Sequence, residues 1–145
     1  MLDIQDNARR LGHHRWVCLQ MFELLGTRAT TVPEAALRPM LATHAHHLAW
    51  HASLLADRMP EIAELDTDAL TTPVDGDVER ALAAARATVD SADLMQRAYG
   101  DVLPRLLTEC RDHLAAVDPH VDGPTARVLT LIVRDLADDL AARQR

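Results

Sequence analysis

The chain has 145 residues, of which 48% are hydrophobic, 26% charged and only 3% aromatic, which is one domain of ordinary globular composition with an aliphatic core. Its net charge is −7 and all 15 basic residues are arginine, which excludes a basic nucleic-acid face, a Schiff-base lysine and a Walker-type phosphate loop. No apolar run reaches the about 18 residues of a membrane span, and the N-terminus lacks the apolar core of a signal peptide. With 24 Ala and 22 Leu against 5 Gly, helix is the favoured state throughout. A first helix is predicted from about Leu2 to Leu25, stopping at Gly26. Thr31-Val32-Pro33-Glu34 reads as the start of a second, running to about Met59 before Pro60. Residues 60–76 form the longest irregular stretch, with one helical turn expected around Glu61–Leu65. An Ala-rich helix follows from Asp77 to about Val89. Asp90-Ser91 caps a long helix from Ala92 to Val117, which Gly100 and Pro104 should kink. A turn at Pro119 and Gly123-Pro124 leads to a last helix, Thr125 to Arg143. No strand signal and no internal repeat is present.

This pattern predicts an all-α fold. Short links join the first helix to the second and the long third to the last, which makes each pair antiparallel. The longer passage through 60–90 then acts as a crossover between the pairs. An antiparallel pair, a crossover and a second antiparallel pair is the order of ferritin-like four-helix bundles. Cys18 and Cys110 lie in apolar helical stretches, where buried free thiols and a cytoplasmic location are expected.

Sorting each helix at about 100° per residue shows which polar groups point inward. On the second helix Leu37, Leu41, Leu48 and Leu55 mark the apolar stripe. His44 and His51 fall inside it, His47 at its edge, and His46 and Trp50 elsewhere. On the long third helix Glu109 and His113 lie within the stripe, one turn apart. On the last helix Asp139 lies near the inner face and Asp135 at its border. The first helix has a broad apolar arc of Leu11, Cys18, Leu19, Phe22 and Leu25, with Glu23 and His14 at its margins. His13-His14 is a weak signal, and His120 reads as a turn residue. Arg15 and Arg58 lean toward the apolar side, where an arginine usually pairs with an acid or grips an anion.

Imidazoles spaced three and four apart share one ridge of a helix, so His44, His47 and His51 can converge on a cation. Glu109 and His113 can do the same from across the core. For each histidine taken singly, a bond to a buried acid or carbonyl is the ordinary alternative. As a set they form a candidate metal site, with Asp139 or Glu23 as an added or supporting ligand. Glu109 and His113 are also the candidate catalytic pair.

The strings Leu11-Gly12-His13-His14-Arg15-Trp16-Val17, Leu37–His51 and Val102-Leu103-Pro104-Arg105-Leu106-Leu107 resemble a group of actinobacterial ferritin-like fold-containing proteins. The resemblance spans most of the chain and implies a ferritin-like bundle, assembled as a homodimer. The wider superfamily oxidises, hydroxylates or stores iron. Its di-iron members carry Glu-x-x-His motifs, and this chain has none. Glu23 and Glu109 match the positions of the single glutamates. The second helix offers His44-Ala45-His46-His47, and the last offers Asp135-Leu136-Ala137-Asp138, where the motifs would stand.

Three functions are therefore expected to compete. One is a His-rich site binding Fe, Zn or Mn and acting on a small-molecule substrate. Another is a metal-free bundle using buried His and Glu as acid and base, or to hold a ligand. The third is a non-catalytic scaffold with a decayed site. An exposed apolar patch at Val17, Met21 and Leu24 would be the surface for a partner or a second copy.

Overall fold

The computed structural model describes residues 2–61 and 66–145. Among them the chain is helical and contains no strand. The helical turn expected around Glu61–Leu65 falls mostly outside the described residues. The elements are α1 (Ile4–Ala29), α2 (Leu37–Asp57), α3 (Thr67–Leu70), α4 (Gly76–Arg86), α5 (Ser91–Arg97), a π-helical turn (Ala98–Val102), α6 (Leu103–Ala116) and α7 (Gly123–Arg143). None is long and apolar enough to cross a membrane.

Aspartate sets most of the starts. Asp3, Asp66, Asp75, Asp90 and Asp122 each accept a hydrogen bond from a backbone N–H in the first turn that follows. Such a cap contributes about 1 kcal/mol by satisfying an orphan donor. Helix α2 has no side-chain cap and begins at Leu37 rather than near Pro33. Pro39 is the reason. It lacks an N–H, so it fits the first turn of a helix, where that N–H has no partner, but not an interior position.

Helix α1 runs three residues past Gly26, the expected stop. Gly26 lies against α2, where an added Cβ would meet Ala45 at 3.9 Å. The final turn is held instead by Arg28, which donates to the carbonyls of Arg86 and Thr88. The expected kink near Gly100 and Pro104 is a π turn. Pro104 cannot donate to the carbonyl four residues back, and the Leu103 N–H reaches Ala98 O, five residues back.

The long helices pack in four antiparallel relations. Gly26 faces Ala45 and Gly12 lies beside Met59, so α2 returns along α1. Arg58 reaches Asp122 and Thr125, while His47 reaches Asp139, so α7 runs back along α2. Asn7 meets His113 and His13 meets Glu109, so α6 opposes α1. Helices α6 and α7 pack on each other across the short turn 117–122. Hence α2 and α6 point the same way, and the segment 58–90 carries the chain from one end to the other.

The core is aliphatic, with Leu11, Met21, Leu25, Leu41, Leu55 and Ile132 fully enclosed. Val17, Met21 and Leu24 belong to it, so the expected apolar patch on α1 does not exist. The crossover explains this: α3 and α4 pack on the side of α1 that α2 and α6 leave open. Phe22, expected inward, is 42% exposed.

Gly12 permits one close approach. A Cβ there would lie 1.9 Å from the Leu70 carbonyl oxygen, inside the backbone of α3. Gly12→Ala must push α3 off α1. We expect a loss of about 1–3 kcal/mol, typical of overpacking, read as a lower urea midpoint with an unchanged slope. An unchanged midpoint would show that α3 is not held against α1 in solution.

Candidate metal centre

The inward polar residues gather in separate clusters on two sides of the core. Histidines 44, 47 and 51 of α2 meet α7. His47 Nδ1 lies 2.8 Å from Asp139 Oδ2, and His44 Nε2 lies 3.4 Å from Asp139 Oδ1. His44 Nδ1 is 2.7 Å from the hydroxyl of Tyr99, the residue that the π turn carries. His51 Nε2 pairs with Asp135 Oδ2 at 2.8 Å, and its Nδ1 is buried without a partner. Burial pushes the His44 and His51 pKa values down, against the pull of their aspartates. Burial likewise raises the Tyr99 hydroxyl, with Asp139 adding to the effect. Apart from His51 Nδ1, these groups pair with one another as a hydrogen-bonded network.

Glu109 and His113 of α6 lie in the other cluster, opposite α1. His13 Nε2 is 2.5 Å from Glu109 Oε2, and Arg105 Nε donates to Glu109 Oε1 at 3.1 Å. His14 Nε2 is 3.1 Å from His113 Nδ1, and His113 Nε2 is 2.8 Å from the Asn7 side-chain oxygen. The sequence places Glu109 and His113 across from α2, but α2 and α6 make no extended contact, since α1 and α7 are the neighbours of both. Glu23 is exposed and joins neither cluster. His46 and Trp50 face outward. Arg15 is tied to Thr71 and Asp68, and Arg58 to Thr125 and Asp122.

Among the described residues, one set of three can bring its donor atoms within 4.8 Å of one another: His13, His14 and Glu109. Both histidines are buried, and Glu109 keeps 26% of its side chain exposed. The set borders a cleft of about 280 Å³, lined by Arg10, Val74 and Asp112 besides the three. His13 and His14 follow Gly12 on α1 and sit about 100° apart around the helix. Both are buried because neighbours pack on more than one side of α1. The signal for them was the adjacent His pair on an unusually broad apolar arc.

The hydrogen bonds assign the ring protons. Asn7 presents its oxygen to His113 Nε2, so that nitrogen carries the proton and His113 Nδ1 accepts. His14 Nε2–H is then the donor to His113, which leaves a bare lone pair on His14 Nδ1. That atom is buried and has no partner. Both rings are held neutral. Burial lowers the His14 pKa well below its ordinary value, and the neighbouring His113, His13 and Arg10 further disfavour a charge there. Burial and the Arg10 charge lower His113 to about 4. On His13 the Val74 N–H donates to Nδ1 at 3.1 Å, so its proton is on Nε2 and is donated to Glu109. Burial opposes ionisation of Glu109, but the bonds from His13 and Arg105 together bring its pKa below the ordinary value.

The donor set is two neutral imidazoles and one carboxylate facing a cleft. That chemistry suits Zn(II), Fe(II) or Mn(II) with a position left open. Ligation at about 2.0–2.2 Å draws the donors inward from their present spacing. His14 already has the supporting bond common to metal-bound histidines, since its second nitrogen donates to His113 and on to Asn7. The cysteines take no part: both are buried, and burial raises Cys18 to about 12.

No family model, curated protein or solved structure matches the chain.

Proposed function

We propose that this protein is a ferritin-like helical bundle that binds one transition-metal cation, Zn, Fe or Mn, through His13, His14 and Glu109. The observation that carries the reading is that His13, His14 and Glu109 bring ligand atoms within 4.8 Å of one another, with the Nδ1 of the buried His14 left without a partner. A buried acceptor without a partner costs about 1–3 kcal/mol, which a bound cation would relieve. The ferritin-like arrangement is supported by the order of helix directions: α1 one way, α2 and α6 the other, α7 back again, with a crossover between α2 and α6. The metal position lies on α1 and α6 rather than on α2. When bound, the cation would supply Lewis acidity and a water nucleophile, or redox chemistry if it is iron. Glu109 and His13 would hold it at the cleft, and His113 with Asn7 would orient His14. The buried thiols are in keeping with a reducing, cytoplasmic setting.

A second reading rests on the His13 tautomer. Because Val74 donates to Nδ1, His13 Nε2–H and Glu109 already form a bonded pair at the cleft, able to move a proton without a metal. One experiment separates the two. Zinc, ferrous iron and manganese are titrated into chelator-stripped protein by calorimetry, with the Val74 amide followed by nitrogen-15 NMR. A metal on His13 Nε2 drives the ring proton to Nδ1, where it would face the Val74 N–H. One cation per chain and a large shift of the Val74 amide are expected. No binding by any of the three cations would overturn the metal reading and leave the His13–Glu109 pair as the active group.

A further inference from the structure

The cleft over the three donors holds one cationic side chain. Arg10 is half-buried, lines the cleft with His13, His14 and Glu109, and has no carboxylate within ion-pair distance among the described residues. Its charge is close enough to disfavour protonation of both His14 and His113. A divalent cation on two neutral imidazoles and one carboxylate has a net charge of +1. Arg10 adds another positive charge beside it. Glu109 is already shared with Arg105 and cannot balance both. Asp112 stands on the rim but is exposed, where solvent screens it. With a cation bound, the excess positive charge would lie at the cleft.

We propose that the metal site binds a small oxyanion, a carboxylate or a phosphoryl group, held between the cation and the Arg10 guanidinium. The inference rests on the metal reading above and deepens it by naming the ligand class. The planar fork of an arginine matches two oxygens of such a group, whereas a point charge does not. A cleft of about 280 Å³ has room for a group of that size. The anion also offsets the repulsion between Arg10 and the metal, so each ligand strengthens binding of the other.

The test begins with the full chain and a zinc titration, followed by acetate and methyl phosphate added separately to zinc-loaded and zinc-free protein. At least one anion is expected to bind tenfold or more tightly to the zinc-loaded form. The anion that binds distinguishes a carboxylate ligand from a phosphoryl one. Arg10→Gln should abolish that gain while zinc binds as well as before or better, because a like charge has gone. Arg10→Lys should keep only part of it. If zinc binds but neither anion depends on it, or if Arg10→Gln binds the anion as the parent does, the inference falls and the metal site stands. If zinc does not bind, the anions are titrated against whichever of ferrous iron and manganese does, and if none of the three cations binds both readings fall before any anion is added.

Discussion

Free zinc at about a hundred times its dissociation constant is expected to raise the melting temperature by roughly 5–10 °C. A ligand that binds only the folded state at that concentration contributes about 2.7 kcal/mol, and each kcal/mol moves the midpoint of a chain this size by about 2–4 °C. Glu109→Gln keeps the shape of the side chain and removes its charge. It should weaken zinc by more than about a hundredfold, beyond the 10–100-fold typical of an orienting partner. Asn7→Leu is such a partner change. It leaves His14 and Glu109 in place but frees His113 to turn, and should cost about tenfold. His51→Gln, in the other cluster, should leave zinc affinity unchanged. Thermal melts with and without zinc on the four proteins check the ranking. An equal shift in all of them would mean that zinc binds elsewhere.

Acid should destabilise the metal-free protein strongly between about pH 6.5 and 4. His113 has a folded-state pKa of about 4 against an ordinary value of 6.5. Burial is the main cause, with Arg10 on α1 adding to it and Asp122, ahead of α7, opposing it. Below pH 6.5 the unfolded chain takes up a proton that the folded chain refuses until about pH 4. The unfolded state binds more protons throughout that window, so stability rises with pH and falls on acidification. His113 alone accounts for a loss of about 3 kcal/mol across the window, and none below it. His14, His44 and His51 are lowered in the same direction and add to the slope. His113→Gln cannot titrate there. Urea midpoints from pH 7.5 to 4 should fall less steeply for this variant than for the parent. Parallel curves would show that His113 is protonated in the folded protein.

The two effects are linked through the same rings. A cation needs neutral imidazoles, and the burial that costs stability on acidification keeps His14 and His113 neutral in the folded chain, so zinc binding by the folded protein should persist into the interval in which the metal-free protein loses stability.

Much of the fold was legible in the order of residues because helix periodicity is local. The inward faces of α2 and α6 follow from a repeat of 3.6 residues, and His44, His51 and His113 are buried as that repeat requires. Gly, Pro and Asp marked most of the breaks. One boundary moved where long-range contacts outweighed a local preference: α1 runs past Gly26, which packs on Ala45, and its last turn is tied by Arg28 to the end of α4. The break at Pro104 was legible as a kink, but its form as a π turn, with Tyr99 brought to His44, was not.

By itself, then, the sequence determined an all-helical chain, its main helices, an aliphatic core and most of the polar side chains that turn inward. Each of these depends on side-chain size, backbone preference and spacing within about two turns. The tertiary structure alone decided which inward groups meet. It sent the histidines of α2 to the aspartates of α7, and Glu109 and His113 to the His13-His14 pair of α1. It also decided which nitrogens carry protons, through Asn7 and the Val74 N–H, residues far from the rings in the chain. The physical reason is that a helical face specifies a direction, whereas a site needs three or four directions from different helices to cross at one point. Only the packing of α1 between α2, α6 and the crossover fixes where they cross.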